Sequence, residues 1–580
     1  MASNGVVGSP IADQSSPAGP DGSTAVQGIH AARPITARLV VLGIVSVVLV
    51  VGWAQFWFLT DDSFIAFRYV SNSRLGYGYV WNPPPFAPVE GYTSFLWLAL
   101  LDLIWRTTEI APPDSCNWIS LIFAWLTVLL GALMIWRMQL GPRLDSCKSV
   151  LAALALLGVV TNRTFLAWTS SGLETAMFGF FVTCWIYSCV YLRQGTVRWA
   201  FSAAASSALI CLTRPDGQLF VVATLVMVVL SAAARESRPR WMLVAATTPL
   251  LALPIHLLWR FATYGAWLPN TYVAKFAGVW PASGIRYLLS FVLEYALWAW
   301  LILLAFVALA RRPRLKPSRR ALPLWVVVLT LLGETAYYTF VIGGDHFEYR
   351  VYSHLLLPIF VSFIWLLGRA MATPRKAIAA LAAFVVLSYP LAWSHWAYSR
   401  ELSTRSSTLR MKVPVAPHWP AAFRWYAAWF DGLQEWLIDR LVCVRHQEHK
   451  VNLLYLKSLF PSRAEGSEIT GDDLPVFAFA AVGLVSWVLP HVNIIDLHGL
   501  NDPVIARLPM APGAERQMAH DRLGPEDYVA GFHPNLILVP GKGLSAVRRA
   551  ERLTPEQIVA HQRRWMERVQ QRRKSVRSEP

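Results

Sequence analysis

Long apolar runs separated by short polar segments dominate the chain between residues 38 and 396. A helix that crosses a bilayer needs about 20 predominantly apolar residues. The runs long enough to predict crossings are 38–58, 117–136, 149–161, 173–193, 199–212, 218–234, 241–261, 286–310, 323–343, 353–371 and 376–396. A further run, 93–105, is short and carries Asp102, so we predict a re-entrant or interfacial helix there. The pattern predicts a polytopic helical membrane protein with eleven crossings.

Positive charges between these runs predict its orientation. If 93–105 does not cross, the basic clusters all fall in alternate loops, which the positive-inside rule makes cytoplasmic. Those clusters are Arg137/Arg143/Lys148, Arg193/Arg198, Arg235/Arg238/Arg240, the stretch RRPRLKPSRR at 311–320, and Arg369/Arg375/Lys376. The N-terminus is then cytoplasmic, while the first loop (59–116) and residues 397–580 are extracytoplasmic.

The two ends of the chain differ from the middle. Residues 1–36 are rich in Ser, Pro, Gly and Ala, and we predict a disordered cytosolic tail. Residues 37–396 form the predicted transmembrane domain. Residues 397–580 are predicted to be an α/β soluble domain with carbohydrate binding as a candidate role. In that domain we predict a helix at 418–441 that either lies in the outer interface or packs on the soluble core. We also predict a buried strand-turn-strand at 476–490 and a capped basic helix at 554–577.

Composition narrows the function classes. The formal charge is +17, but the basic residues are interleaved with apolar runs, which indicates membrane topology rather than nucleic-acid binding. The six cysteines show neither a disulfide framework nor metal-type spacing. We find no Walker loop, dinucleotide fingerprint, HExxH motif or nucleophile elbow, which counts against ATP, NAD and metalloprotease chemistry.

The acidic pair Asp61–Asp62 directly follows the first predicted crossing. One interpretation is a helix cap, because carboxylates accept hydrogen bonds from free amides at a helix start. If the following residues continue as a helix, Asp61 and Arg68 share one face while Asp62 and Tyr69 share another. Paired acids in a long outer loop are also typical of a catalytic site.

Further polar residues crowd the same predicted outer face. Each one alone is better explained as a cap or a salt-bridge partner than as a site residue. Together, cations beside carboxylates favour a pocket for a lipid phosphate whose sugar lies near an acid. The candidate substrate-binding residues are Arg68, Tyr69, Asn82, Glu90, Thr93, Glu174, Arg214, Asp216, Asn270, Lys275, Asp345, His346 and Arg350.

A string of motifs also carries a family resemblance. The segments DDSFIAFRYVSN, GYGYVWN, VEGYTSFLW, SGLETAMF, TRPDG, LPNTYVAK, GGD and NIIDLHGLNDPVIAR occur in that order. The chain thereby resembles the GT-C glycosyltransferases that use polyprenyl-phosphate sugars, in particular the terminal β-(1→2)-arabinofuranosyltransferases of mycobacterial cell walls. The resemblance implies a GT-C fold, Asp61 and Asp62 as catalytic acids, and a plasma-membrane role in cell-wall biogenesis. It also implies decaprenyl-phosphoryl-arabinofuranose as donor and the arabinan of arabinogalactan or lipoarabinomannan as acceptor.

Several alternatives stay open at this point. Another GT-C enzyme would act on a protein or lipid acceptor, and a flippase for a lipid-linked sugar would also need many crossings and cations. The reaction either retains or inverts the anomeric configuration. It requires no cofactor, and a divalent cation near the acids is an open alternative. The expected partners are the lipid-linked donor, the glycan and membrane lipid, with no nucleic acid.

Overall fold

The structure is a computed structural model that describes residues 22–233, 240–311, 321–371, 373–402, 412–469, 474–511, 513–539, 541, 543–549 and 551–578. Most of the predicted tail (1–21) and most of the basic loops 234–239 and 312–320 lie outside the described residues. Residues 22–36, predicted to be disordered, are helical in the described chain. Alanines in that stretch favour extending the first helix in the N-terminal direction.

Helices make up most of the described chain. Up to residue 194 they are α1 (Gly22–Gln55), α2 (Asp61–Arg74), α3 (Phe95–Thr108), α4 (Pro112–Arg137), α5 (Pro142–Asp145), α6 (Lys148–Val160), α7 (Arg163–Thr169) and α8 (Thr175–Tyr191). Up to residue 400 they are α9 (Val197–Thr213), α10 (Gln218–Ala233), α11 (Arg240–Ala245), α12 (Ala252–Tyr264), α13 (Asn270–Lys275), α14 (Pro281–Glu294), α15 (Trp298–Arg311), α16 (Leu322–Ala336), α17 (Leu356–Ala370), α18 (Pro374–Leu387) and α19 (Pro390–Ser399). Short 3₁₀ turns lie at Pro215–Gly217, Thr248–Leu251 and Arg350–Leu355, and a π-helical turn at Tyr337–Ile342.

Several helices are long and apolar enough to cross a membrane. In the described part of the chain six helical segments meet that condition: Ile35–Gln55, Pro112–Arg137, Pro215–Ala233, Leu322–Ile342, Arg350–Ala370 and Pro374–Ser399. Two bent helix pairs raise the number to eight if each pair is one crossing. Helices α8 and α9 are shorter and also apolar. The prediction of a helical multi-pass membrane protein is confirmed, whereas the count of eleven and the orientation stay predictions.

Two predicted crossings are not straight helices. The run 286–310 bends by 89° between α14 and α15, where Ala296 has a positive φ of 49°. The bend leaves Glu294 fully buried among arginines instead of in lipid. The run 241–261 is divided among α11, a 3₁₀ turn and α12, with Pro249 at the break. Proline removes a backbone donor and interrupts a helix, which explains this division.

The C-terminal segment mixes helices and strands. Its elements are α20 (Ala421–Ile438), α21 (His446–Leu459), α22 (Arg463–Ser467), β1 (Val476–Phe479), α23 (Val482–Val488), β2 (Asn493–Asp496), α24 (Glu526–Ala530), β3 (Leu536–Val539), β4 (Gly543–Ala546) and α25 (Pro555–Ser578). Strands β1 and β2 pair in parallel, Val476 opposite Asn493, with α23 as the connection. Strands β3 and β4 pair antiparallel, Leu536 opposite Ala546. The predicted strand-turn-strand at 476–490 is therefore wrong in its second half, which is α23.

The C-terminal segment shares a hydrophobic core with the first loop. One cluster of buried side chains joins Phe64 and Phe67 of α2 to Val485 of α23 and Ile494 of β2. Burial of such side chains stabilises a contact by about 1.5–3 kcal/mol each. The first loop is thus held between the membrane helices and the C-terminal segment, and this arrangement positions the candidate site.

Candidate active site

Helix α2 begins at the acidic pair, as the sequence predicts, but the cap is the residue before it. Thr60 is the N-cap, and its side-chain oxygen accepts a hydrogen bond from the Ser63 amide at 3.2 Å. Asp61 and Asp62 occupy the first turn, where carboxylates interact favourably with the helix dipole. Neighbouring residues of a helix point about 100° apart, so the two carboxylates face different surroundings.

Asp61 faces the C-terminal segment. Its Oδ1 accepts a hydrogen bond from the Leu484 amide at 2.7 Å, and its Oδ2 accepts one from the Gly483 amide at 3.1 Å. These amides belong to the free N-terminus of α23, so Asp61 acts as its cap. A Cβ on Gly483 would lie 1.8 Å from the Asp61 carbonyl oxygen, so only glycine fits there. Burial raises the pKa of Asp61 to about 6, against the lowering effect of these amides.

Arg68, on the same face of α2, holds the other end of α23. Its guanidinium is fully buried and donates to the carbonyl oxygens of Trp81, Ser486, Leu489, Pro490 and Val492 at 2.8–3.1 Å. Carbonyls at a helix C-terminus lack intrahelical donors and favour a cation. We call Asp61, Arg68 and residues 482–492 the α2–α23 clamp.

Asp62, on the other face of α2, lines a cavity of about 640 Å³. The cavity lies between the first loop, the membrane helices and the C-terminal segment. The predicted site residues that line it are Asp62, Thr93, Glu174, Arg214, Asp216, Lys275, Asp345, His346 and Arg350. Residues that are far apart along the chain therefore meet around one space.

Two arginines of the cavity are paired with carboxylates. Arg214 forms salt bridges with Glu174 at 3.3 Å and with Asp216 at 3.2 Å. Its Nη2 donates to the Tyr338 hydroxyl at 2.7 Å, and that hydroxyl donates to Asp216 at the same distance. Arg350 pairs with Asp345 at 2.8 Å. These pairs fix the geometry of the wall, because each guanidinium is held in place by its carboxylate.

Asp62 and Lys275 lie in the same cavity without such partners. Neither makes a hydrogen bond or an ion pair within the ranges that the structure describes. His346 is their neighbour, and its Nδ1 donates to the Leu441 carbonyl at 2.7 Å, which leaves Nε2 as the acceptor nitrogen. Burial lowers the pKa of His346, and the nearby Asp62 carboxylate opposes that change. An unpaired acid and an unpaired ammonium are therefore available to a ligand.

One wall of the cavity is apolar and open to the surroundings. Val222 of α10 is 57% exposed and Leu268 is 51% exposed, although both line the cavity. Leu219 and Tyr272 continue this wall and are also exposed. Because α10 belongs to a candidate crossing, the exposed apolar wall lies where lipid chains would contact it.

Six predicted site residues do not line the cavity. Besides Asp61 and Arg68 they are Tyr69, Asn82, Glu90 and Asn270, and each braces the first loop or the neighbouring α13. Tyr69 donates to the Val89 carbonyl and Asn82 pairs with the backbone of Ile494. All six side chains bind other parts of the protein. A catalytic role for Asp61 stays a prediction.

Glu90 and Asn270, which also lie outside the cavity, bind other parts of the fold. Glu90 forms a buried salt bridge with Arg260 at 2.6 Å, and burial raises its pKa to about 7. The Asn270 side chain donates to the carbonyls of Gly499, Leu500 and Asp502.

The cavity also contains residues that are not among the predicted site residues. Tyr338 bridges Arg214 and Asp216, and its neighbours along the chain give no motif. Leu500, Met518 and Ala519 of the C-terminal segment form a further part of the wall. Glu334 also lines the cavity and pairs with His354 at 3.0 Å. Its mid-run position was the available signal, because an acid inside an apolar run marks a functional or paired site.

No group of three or more His, Cys, Asp and Glu side chains is arranged to hold a metal ion in the described ranges.

A second group of charged side chains lies away from the cavity. Arg163 and Arg445 alternate with Glu294 and Glu348 at 2.8–3.2 Å, and all four are fully buried. We call these four residues the buried ion cluster.

Comparison with known proteins adds a relative. No family model matches the chain. A terminal β-(1→2)-arabinofuranosyltransferase of Corynebacterium glutamicum is 26% identical over 532 residues, which cover 81% of this chain and 74% of the relative. The resemblance predicted from the motifs is confirmed by this match.

Solved structures resemble the chain more distantly. ArnT from Cupriavidus metallidurans bound to undecaprenyl phosphate aligns with a TM-score of 0.45 and 11% identity, over 79% of this chain and 85% of that one. The oligosaccharyltransferase of Archaeoglobus fulgidus in complex with zinc and sulfate gives a TM-score of 0.37 and 12% identity, over 79% and 62%.

Proposed function

We propose that this chain is a membrane arabinofuranosyltransferase. It transfers arabinofuranose from decaprenyl-phosphoryl-arabinofuranose to the end of a cell-wall arabinan and forms a terminal β-(1→2) linkage. The observation that carries the proposal is the cavity, where a carboxylate and an ammonium that have no partner among the described residues lie beside an exposed apolar wall. The similarity to the corynebacterial arabinofuranosyltransferase supports the choice of sugar.

The two sides of the cavity match the two parts of a lipid-phosphate donor. The apolar wall of Leu219, Val222 and Leu268 suits an isoprenoid chain that enters from the membrane. Lys275 suits the phosphate, because its ammonium has no carboxylate partner among the residues that the structure describes. Arg350 also lines the cavity, but Asp345 balances its charge.

Asp62 is the carboxylate that we assign to the chemistry. It lines the cavity, and it makes no hydrogen bond or ion pair to the described residues. Asp61, by contrast, uses both oxygens to cap α23. We assign Asp61 a positioning role, since the clamp fixes the helix that presents Asp62.

The stereochemistry leaves two mechanisms for Asp62. A β-linked donor and a β-linked product require retention, and a single in-line attack assisted by a base inverts the centre. Asp62 then either forms a covalent or ion-pair intermediate, or the acceptor attacks on the face from which the phosphate leaves. An α-linked product would make Asp62 a general base. The linkage of the product therefore decides the role of the carboxylate.

Transfer with synthetic substrates tests this proposal. The purified chain in nanodiscs is given polyprenyl-phosphoryl-arabinofuranose and a short arabinan, and NMR assigns the linkage of the product. We expect a new β-(1→2)-linked terminal residue that forms with wild type and not with Asp62→Asn. Movement of the donor across the bilayer of proteoliposomes without any glycan product would contradict the enzyme and favour a flippase. Transfer only to a protein or lipid acceptor would contradict arabinan as the acceptor.

A further inference from the structure

Helix α20 has two faces of different character. Ala427, Phe430, Gln434 and Leu437 are buried against the rest of the chain. The opposite face is exposed. It carries Trp425, which is 65% exposed, and Trp429, which is 42% exposed, and their rings lie 5.5 Å apart.

The remaining residues of the exposed face are small or basic. They are Ala421, Ala422, Arg424, Ala428 and Gly432. The indoles of Trp425 and Trp429 project from this face, and the guanidinium of Arg424 lies beside them. We call this face the α20 ridge. Exposed tryptophans that cluster in this way mark a contact with another phase or molecule.

The buried face of α20 rests on two candidate membrane segments. Phe430 and Ala427 pack in one cluster with Leu293, which precedes α15, and with Leu391 of α19. The Tyr426 hydroxyl donates to the Leu293 carbonyl at 2.6 Å and accepts from the Trp298 indole at 3.1 Å.

These contacts place α20 beside an apolar surface. Helix α15 begins at Trp298 and exposes Leu301 (47%) and Ile302 (61%) on its outer side, where lipid would cover them. Tryptophan is enriched where such a surface meets the headgroup layer, because its indole is apolar and also donates a hydrogen bond.

We propose that α20 lies in the headgroup layer of the leaflet on the side of the C-terminal segment, with Trp425 and Trp429 inserted among the lipids. Arg424 is exposed beside the ridge, where it meets lipid phosphates. The amphipathic division of the helix and its position beside the exposed apolar side of α15 favour lipid over a glycan or a second copy of the chain. The inference is independent of the sugar that the enzyme transfers.

The proposed lipid contact lies close in sequence to the cavity. After α20 the chain passes through Leu441, whose carbonyl accepts from His346 Nδ1. The next residues pair with the segment after α16, since the amides of Cys443 and Val444 donate to the carbonyls of Asp345 and His346 at 2.9 and 2.8 Å. The membrane surface and one cavity wall are thus joined by a few residues.

Photocrosslinking to lipid tests the α20 ridge. Benzoylphenylalanine replaces Trp425 or Trp429 in the full chain, which is then reconstituted in phospholipid nanodiscs and irradiated. The control site is Ile537 on the β3–β4 hairpin, which is 43% exposed and packs next to β1 rather than on a membrane helix. Intact-protein mass spectrometry identifies the adducts.

We expect one phospholipid mass to be added at positions 425 and 429, with at least a tenfold lower yield at position 537. Equal lipid yields at all three positions would overturn the proposal. So would crosslinks at 425 and 429 that join two copies of the chain, or an absence of lipid adducts at both. Circular dichroism and retained transferase activity establish that the three variants are folded.

Discussion

The two faces of α2 carry similar charges in opposite surroundings. On one face Asp61 and Arg68 bind only protein, and most of their hydrogen bonds close the α2–α23 clamp. On the other face Asp62 borders an open cavity and has no described partner. A charge whose partners are all inside the protein stabilises the fold, whereas a charge without a partner beside a cavity is available for a substrate.

The buried ion cluster extends this comparison. Arg163 and Arg445 form salt bridges with carboxylates, as Arg214 and Arg350 do in the cavity. All four side chains of the cluster are fully buried, so they are not accessible to a ligand in this structure. Arg214 and Arg350 are among the predicted site residues, whereas Arg163 and Arg445 are not, and in the structure only the first two line the cavity.

Loss of the Arg68 guanidinium gives the largest expected change in stability. Arg68→Met leaves buried carbonyl oxygens without their donor, so the free energy of unfolding should fall by about 3 kcal/mol or more. The matched control is Arg74→Met on the same helix, because Arg74 forms a surface salt bridge with the exposed Glu109 and should cost less than about 1 kcal/mol. Thermal unfolding of both variants in one detergent provides the measurement. Equal melting temperatures would remove the clamp from the account.

Removal of the Lys275 ammonium should affect the donor and not the fold. Lys275→Met is expected to lower kcat/KM for the lipid-phosphate donor by about 10- to 100-fold, the range of one charged hydrogen bond. Lys457→Met on the exposed side of α21 serves as control and should leave the rate unchanged. A rate for Lys275→Met equal to that of the control would show that the phosphate binds elsewhere.

Loss of the Asp61 cap on α23 should lower stability less than loss of the Arg68 guanidinium. Asp61→Ala is expected to destabilise the protein by about 1 kcal/mol, while Asp61→Asn, whose amide oxygen still accepts from the α23 amides, should cost less. Denaturant titration of the two variants measures the difference. Identical losses for Ala and Asn would argue against capping.

The pH dependence of stability provides a second test of the contact between Asp61 and α23. Asp61 has a pKa of about 6 in the folded state against 3.8 ordinarily, because burial disfavours its charge. Between these values the folded state binds the proton more tightly, so the contribution of Asp61 to stability falls as the pH rises from about 4 to about 6. The difference in melting temperature between wild type and Asp61→Asn should decrease over that interval. A constant difference would contradict the raised pKa.

Local patterns predicted local structure well. The acidic pair followed by apolar residues predicted α2 and the separation of Asp61 from Asp62 on two faces. The sequence TPEQ predicted the start of α25, where the Thr554 hydroxyl and the Gln557 side chain each accept from the other residue's amide. These features depend on residues close together in the chain, which is why they are legible in the sequence.

Features that depend on distant residues were not predictable. Helix α23 has seven residues, and its apolar sequence is equally compatible with a strand. Its helical form is supported by Asp61 and Arg68, which precede it by more than four hundred residues. The bend before α15 likewise depends on Glu294 meeting Arg163 and Arg445. The assignment of the chemistry to Asp62 rather than Asp61 also depends on a long-range contact, the hydrogen bonds between Asp61 and α23.

Turnover of Asp62→Asn and Asp61→Asn on the same donor and arabinan, with both proteins matched to wild type in folded fraction, tests the division of roles between the two acids. We expect Asp62→Asn to lose about 10²- to 10⁴-fold in kcat, the range of positioned acid–base catalysis. Asp61→Asn should stay within about tenfold of wild type, since the cap is largely kept. An inactive Asp61→Asn beside an active Asp62→Asn would contradict the account.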